Sequence, residues 1–69
     1  MRSTFSLEEV GTMLDMDPDE VKQEIENGHL TYSFDEGKKR VSLYDLEKYM
    51  GEEQTRKITQ EFLNNKNSE

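Results

Sequence analysis

Apolar residues occur singly or in pairs along this chain, and the period at which they recur changes from segment to segment. Leu7, Val10, Met13 and Leu14 fall on one helical face, which predicts a helix that starts at Leu7 and ends near Leu14 or Asp15. Ser6 and Glu9 have the spacing of a capping box, with Phe5 and Val10 placed as the hydrophobic staple around it. Gly11, a poor helix former, implies that another backbone approaches this helix closely. Asp17-Pro18-Asp19-Glu20 restarts a helix. Asp17 can cap free amides, Pro18 lacks a donor only where none is needed, and carboxylates suit the positive end. Val21 and Ile25 form its core stripe, and Gly28 follows where a left-handed backbone terminates a helix.

From Leu30 to Phe34 the pattern alternates, the period of a half-buried strand with Tyr32 and Phe34 on one face. Asp35-Glu36-Gly37 supplies a turn, and Lys39, Val41 and Leu43 line a return strand, so residues 29–43 are expected to form a β-hairpin. A third helix is predicted from about Leu43 to Met50, with Leu46, Tyr49 and Met50 inward and Gly51 ending it. A fourth is predicted from about Glu52 to Asn64, with Ile58, Phe62 and Leu63 as its apolar face. That face either folds back on the domain or pairs with another copy of the chain. The expected organisation is one domain over 1–51, an amphipathic helix over 52–64 and a disordered tail over 65–69.

The composition narrows the functions open to such a chain. With 69 residues it can bury only one small core, which excludes a large enzyme with a deep cleft. Cysteine is absent, so disulfides, thiolate nucleophiles and thiolate metal sites are excluded. Apolar runs are too short for a membrane span, no apolar segment near Met1 suggests a signal peptide, and the expected location is cytoplasmic. The net charge of −7 is concentrated: Asp15, Asp17, Asp19, Glu20, Glu24 and Glu26 face only Lys22 in the second helical segment, whereas Lys38-Lys39-Arg40 is the one basic run. This balance disfavours non-specific binding to polyanions while leaving a local patch able to hold a few phosphates.

Taken in order, the two helices, Gly28-x-Leu30, the basic hairpin and the Leu-rich third helix resemble the excisionase and MerR-type winged helix-turn-helix domains. The resemblance rests on Phe5-Ser6-x-x-Glu9, Met13-Leu14-x-Met16, Val21, Ile25, Gly28-x-Leu30, Arg40-Val41 and Asp45-Leu46-Glu47-x-x-Met50. It implies an α+β fold, a small winged helix-turn-helix with three to four helices and one β-hairpin wing. It also implies a second helix in the major groove, a wing on the adjacent minor groove or backbone, double-stranded DNA as partner, and no catalysis. Lys22, Gln23, Lys38, Lys39 and Arg40 are then the DNA-contacting candidates, in a transcriptional regulator or a recombination directionality factor. The chain departs from the family on the outer face of the second helix, where Asp19, Glu20 and Glu26 would meet a polyanion.

That departure supports an alternative from another class: a protein-interaction module, such as a small phage-type inhibitor, whose Asp19, Glu20, Glu24 and Glu26 bind a basic partner surface. Asp15-x-Asp17-x-Asp19 with Glu26 has calcium-loop spacing, but Glu20 stands where the sharp turn needs glycine, so no metal is expected. No nucleophile–base pair or phosphate loop is present, so neither a cofactor nor catalysis is expected. His29 is assigned to a turn, and Tyr32, Phe34, Tyr44 and Tyr49 to the core rather than to base stacking.

Overall fold

The computed structural model describes residues 3–67. Chain order is β1 (Thr4–Ser6), α1 (Leu7–Leu14), α2 (Pro18–Glu26), β2 (Ser33–Asp35), β3 (Lys38–Ser42), α3 (Leu43–Met50) and α4 (Glu52–Asn67). The protein is a small α+β domain with four helices and a three-stranded antiparallel sheet of order β1-β3-β2.

The start and stop residues of the helices act as expected, and some go further. Ser6 Oγ accepts from the Glu9 amide at 3.1 Å while Glu9 Oε1 accepts from the Ser6 amide at 2.9 Å, completing the first capping box. At α2, Glu20 Oε1 accepts from the Asp17 amide at 2.9 Å. Ser42 and Asp45 form a further reciprocal box at α3, each bond 3.0 Å long. The end of α2 is a Schellman motif: the His29 amide donates to Glu24 O at 2.9 Å and the Gly28 amide to Ile25 O at 3.1 Å, with Gly28 at φ 79°. His29 is therefore the turn residue it was expected to be.

Gly11 meets the backbone its position implied. A Cβ there would lie 2.9 Å from Met16 O and 3.6 Å from a Val21 methyl, and the Met16 amide already donates to Gly11 O at 2.8 Å. Any larger residue would force α1 and α2 apart. Asp15 turns the corner between them in the left-handed region at φ 57°, which Asp tolerates better than most residues.

The core takes one fully buried apolar side chain from each successive part of the fold: Phe5, Val10, Val21, Leu30, Val41 and Leu46. Phe5 comes from β1, a strand that the hydrophobic pattern did not predict. It lies opposite Val41 on β3, and β3 also pairs with β2, so the hairpin's return arm is the centre of the sheet. Leu7, Met13, Ile25, Tyr49 and Met50 pack around this group.

Four expectations are corrected. The hairpin turn is Glu36-Gly37 alone, both at positive φ (54° and 79°) as a two-residue primed turn requires, so Asp35 belongs to the strand. Tyr32, Phe34 and Tyr44 are not core residues: they are 37%, 65% and 67% exposed, Tyr32 and Phe34 because they lie just before and on the edge strand β2, and Tyr44 because it sits on the outer side of the first turn of α3. α4 continues through Asn67, since no breaker follows Leu63; the expected tail is helical to that point, and residues 68 and 69 lie outside the described residues. The face of α4 turned to the domain is Thr55, Thr59 and Phe62 rather than Ile58, Phe62 and Leu63. Phe62 sits edge-on to Phe5 at 6.0 Å, so it folds back, while Ile58 and Leu63 are half-buried.

Thr55 Oγ1 donates to Gly51 O at 2.7 Å, but the buried Thr59 Oγ1 has no hydrogen-bond partner among the described residues. Replacing Thr59 with the nearly isosteric Val removes that unpaired hydroxyl. Thr59→Val should raise stability by about 1 kcal/mol. Phe5→Ala should cost ~3–5 kcal/mol, a large share of what so small a domain possesses. Thermal and urea unfolding of both variants measure these changes.

Candidate nucleic-acid interface

The basic run lies along β3, and the pleat of that strand divides it. Val41 points into the core, so Lys39, two residues away, lies on the same face, while Lys38 and Arg40 lie on the other. Lys38 and Lys39 are exposed, at the end of the hairpin next to the turn. Arg40 is half-buried, and its Nη2 donates to both Thr4 O and Thr4 Oγ1 at 3.3 Å. Its guanidinium clamps β1 to the sheet, which gives Arg40 a structural role beside its candidacy as a DNA contact. Asp35 stands directly opposite Lys38 in the register and offsets part of its charge.

On the Lys39 face, Phe34 lies directly across from Lys39. The Lys39 ammonium sits 5.3 Å from the Tyr32 ring centroid, and Tyr32 and Phe34 meet edge to face at 5.5 Å and 78°. These aromatics were missed as surface residues, although a signal was present. A lysine in the inward register of Val41 means that this position is solvated, and its cross-strand neighbour must be solvated with it.

The α2 candidates sit on a separate element. Lys22, Gln23, Asp19, Glu20 and Glu26 are all exposed. An open groove of about 510 Å³ runs along this helix, lined by Met16, Asp19, Glu20, Gln23, Glu24 and Asn27. Glu24 is turned inward: Oε1 accepts from the Tyr49 hydroxyl at 2.6 Å and Oε2 lies 3.1 Å from His29 Nδ1, which ties α2 to α3. The Tyr49 hydrogen bond, and then that of His29, hold the Glu24 carboxyl below its usual range, and the same bond with Glu24 pushes the Tyr49 hydroxyl up. Of the four acidic candidates, Asp19, Glu20 and Glu26 face solvent, and Glu24 serves the fold.

A second polar tie flanks the hairpin. Thr31 Oγ1 donates to Asp45 Oδ1 at 2.6 Å. Burial is the strongest single influence on Asp45 and opposes its charge, but bonds from Thr31 and from the Ser42 amide and hydroxyl, with Lys48 nearby, outweigh it and keep the carboxyl low. Glu24 and Asp45 thus anchor the two ends of the segment that leads into β2.

The arrangement defines a small α+β domain that offers an exposed cationic and aromatic hairpin and a separate acidic helix. Comparison with family models, curated proteins and solved structures gave no match. Among the described residues no helix is long and apolar enough to cross a membrane.

Because the folded Glu24 carboxyl titrates below 4.5, its contribution to stability is present above that pH and is lost as pH falls through the lowered value. Tyr49→Phe removes the largest cause of this shift. Melting temperatures from pH 3 to pH 7 should therefore fall less steeply on the acid side in Tyr49→Phe than in wild type.

Proposed function

We propose that this chain is a small, non-catalytic winged helix-turn-helix protein of the excisionase and MerR type. In this reading it binds double-stranded DNA as a transcriptional regulator or a recombination directionality factor, with β2–β3 as the wing and α2 presented to the duplex. The observation that carries the reading is the position of Lys38 and Lys39 on a hairpin arm that extends past the core, where packing has no need of them. Further support comes from the close α1–α2 corner at Gly11 and from α3, whose buried Leu46 joins the same core as Val10 of α1 and Val21 of α2.

Charge limits the affinity. With Arg40 engaged by Thr4, the phosphate contacts come from Lys38, Lys39 and Lys22. Each contributes a slope of about −0.9 to the dependence of log affinity on log salt, so the whole should not exceed about −3. A monomer with that few contacts binds weakly, and adjacent copies on one DNA would gain from their shared attachment.

One observation favours a second reading. The exposed Asp19, Glu20 and Glu26, with the groove beside them, form an acidic face suited to a basic protein partner. Asp19→Asn combined with Glu26→Gln separates the two readings, since both side chains are exposed and the capping bond of α2 is made by Glu20. Under the DNA reading, this variant binds duplex DNA more tightly in a fluorescence titration at low salt, while Lys38→Ala and Lys39→Ala each weaken binding severalfold and lower the salt slope by about 1. Arg40→Ala should lower the melting temperature instead. Under the interaction reading, duplex affinity is negligible throughout, and the double variant loses binding to an arginine-rich peptide.

A further inference from the structure

We infer that Tyr32, Phe34 and Lys39 form a stacking platform for an unpaired nucleobase. This rests on the reading that the hairpin meets nucleic acid, and it adds that the hairpin's preferred ligand is a strand, or a site in a duplex, with an unstacked base.

The platform begins where the core ends. Phe34 and Lys39 face each other across the sheet, one register step beyond the buried Val41. Phe34 leaves 65% of its surface in water and Tyr32 37%. The core of the domain does not account for a Phe34 ring left this open. Yet the rings are held in place: Tyr32 packs against Phe34 at 78°, and Lys39 lies over the Tyr32 ring. A ring already fixed in orientation loses little freedom when a base is laid against it. Lys39, and Lys38 on the opposite face, put cations within reach of the flanking phosphates, so the platform suits a polyanion better than an apolar protein surface.

Energetics separates paired from unpaired bases. Driving a ring between paired bases costs unstacking energy that minor-groove proteins recover by wrapping more backbone. This hairpin has little to wrap with, because its exposed cations are Lys38 and Lys39 alone, and Arg40 is bound to Thr4. A base that is already unstacked carries no such cost, and every base offers a face to a ring, so recognition is tolerant of sequence.

The full chain is titrated, by fluorescence anisotropy at low salt, against three labelled probes: a fully paired duplex, the same duplex with one bulged thymine, and an oligothymidine strand. The wild type should bind the bulged duplex and the strand on the order of fivefold or more tighter than the paired duplex. Phe34→Ala should abolish that difference while the circular dichroism of the fold is retained, because the ring lies outside the core. Phe34→Trp should retain it and report stacking by quenching of its indole, the only one in a chain that has no other Trp. Equal affinity for the three probes, or a preference that survives Phe34→Ala, overturns the platform. Binding to the paired duplex alone sustains the DNA reading and overturns the platform. Binding to the strand and bulge alone does the reverse, and no binding to any probe overturns both.

Discussion

The pairing of Phe5 with Val41 across β1 and β3 is the contact on which the other elements depend. It brings the first described strand onto the return arm of the hairpin, and Phe62 of α4 then closes over Phe5 from the other side. Without it the sheet would be a two-stranded ribbon, which is at best marginal in water. Arg40 reinforces the same junction on the polar face of the sheet through Thr4. One face of the β1–β3 pair therefore supplies apolar burial and the other hydrogen bonds.

That use of β3 explains the division of labour along the hairpin. Its base, Arg40 to Ser42, is held by β1 and by the cap of α3, whereas its tip is paired only with the edge strand β2. Side chains near the base are recruited by the fold, and those near the tip are left to solvent. The tip can carry charge and exposed rings without disturbing the core. On α2 the same logic applies in another form: Val21 and Ile25 face inward, Glu24 is drawn to Tyr49, and the remaining carboxylates stay outside.

Local signals were legible in the sequence wherever the structure is made by near neighbours. Ser6 with Glu9, Pro18 after Asp17, and Gly28 after α2 all act within a few residues, and each sits at the boundary it implied. Gly11 was legible because glycine in mid-helix has few other reasons to be there. What stayed hidden depends on distant partners. Thr4–Ser6 is too short to show a period of its own and is a strand only because β3 lies beside it. Arg40 looked like its neighbours Lys38 and Lys39 until Thr4 was placed next to it. In α4 the more apolar residues Ile58 and Leu63 suggested one face, but the packing selects the face carrying Thr55, Thr59 and Phe62. The candidate site was half legible for the same reason: the basic tip was visible in the sequence, and the exposure of Tyr32 and Phe34 beside it was not.

The sheet order also bears on how the molecule comes into being on the ribosome. Phe5 emerges long before Val41 and Phe62, the two residues that cover it, so the nascent chain must carry a bare aromatic while most of the domain is still being made. The α1–α2 corner can form early from its own neighbours, but the sheet must wait for β3. Completion of the sheet is thus deferred until β3 has been made, because β1 has no other strand to pair with among the described residues.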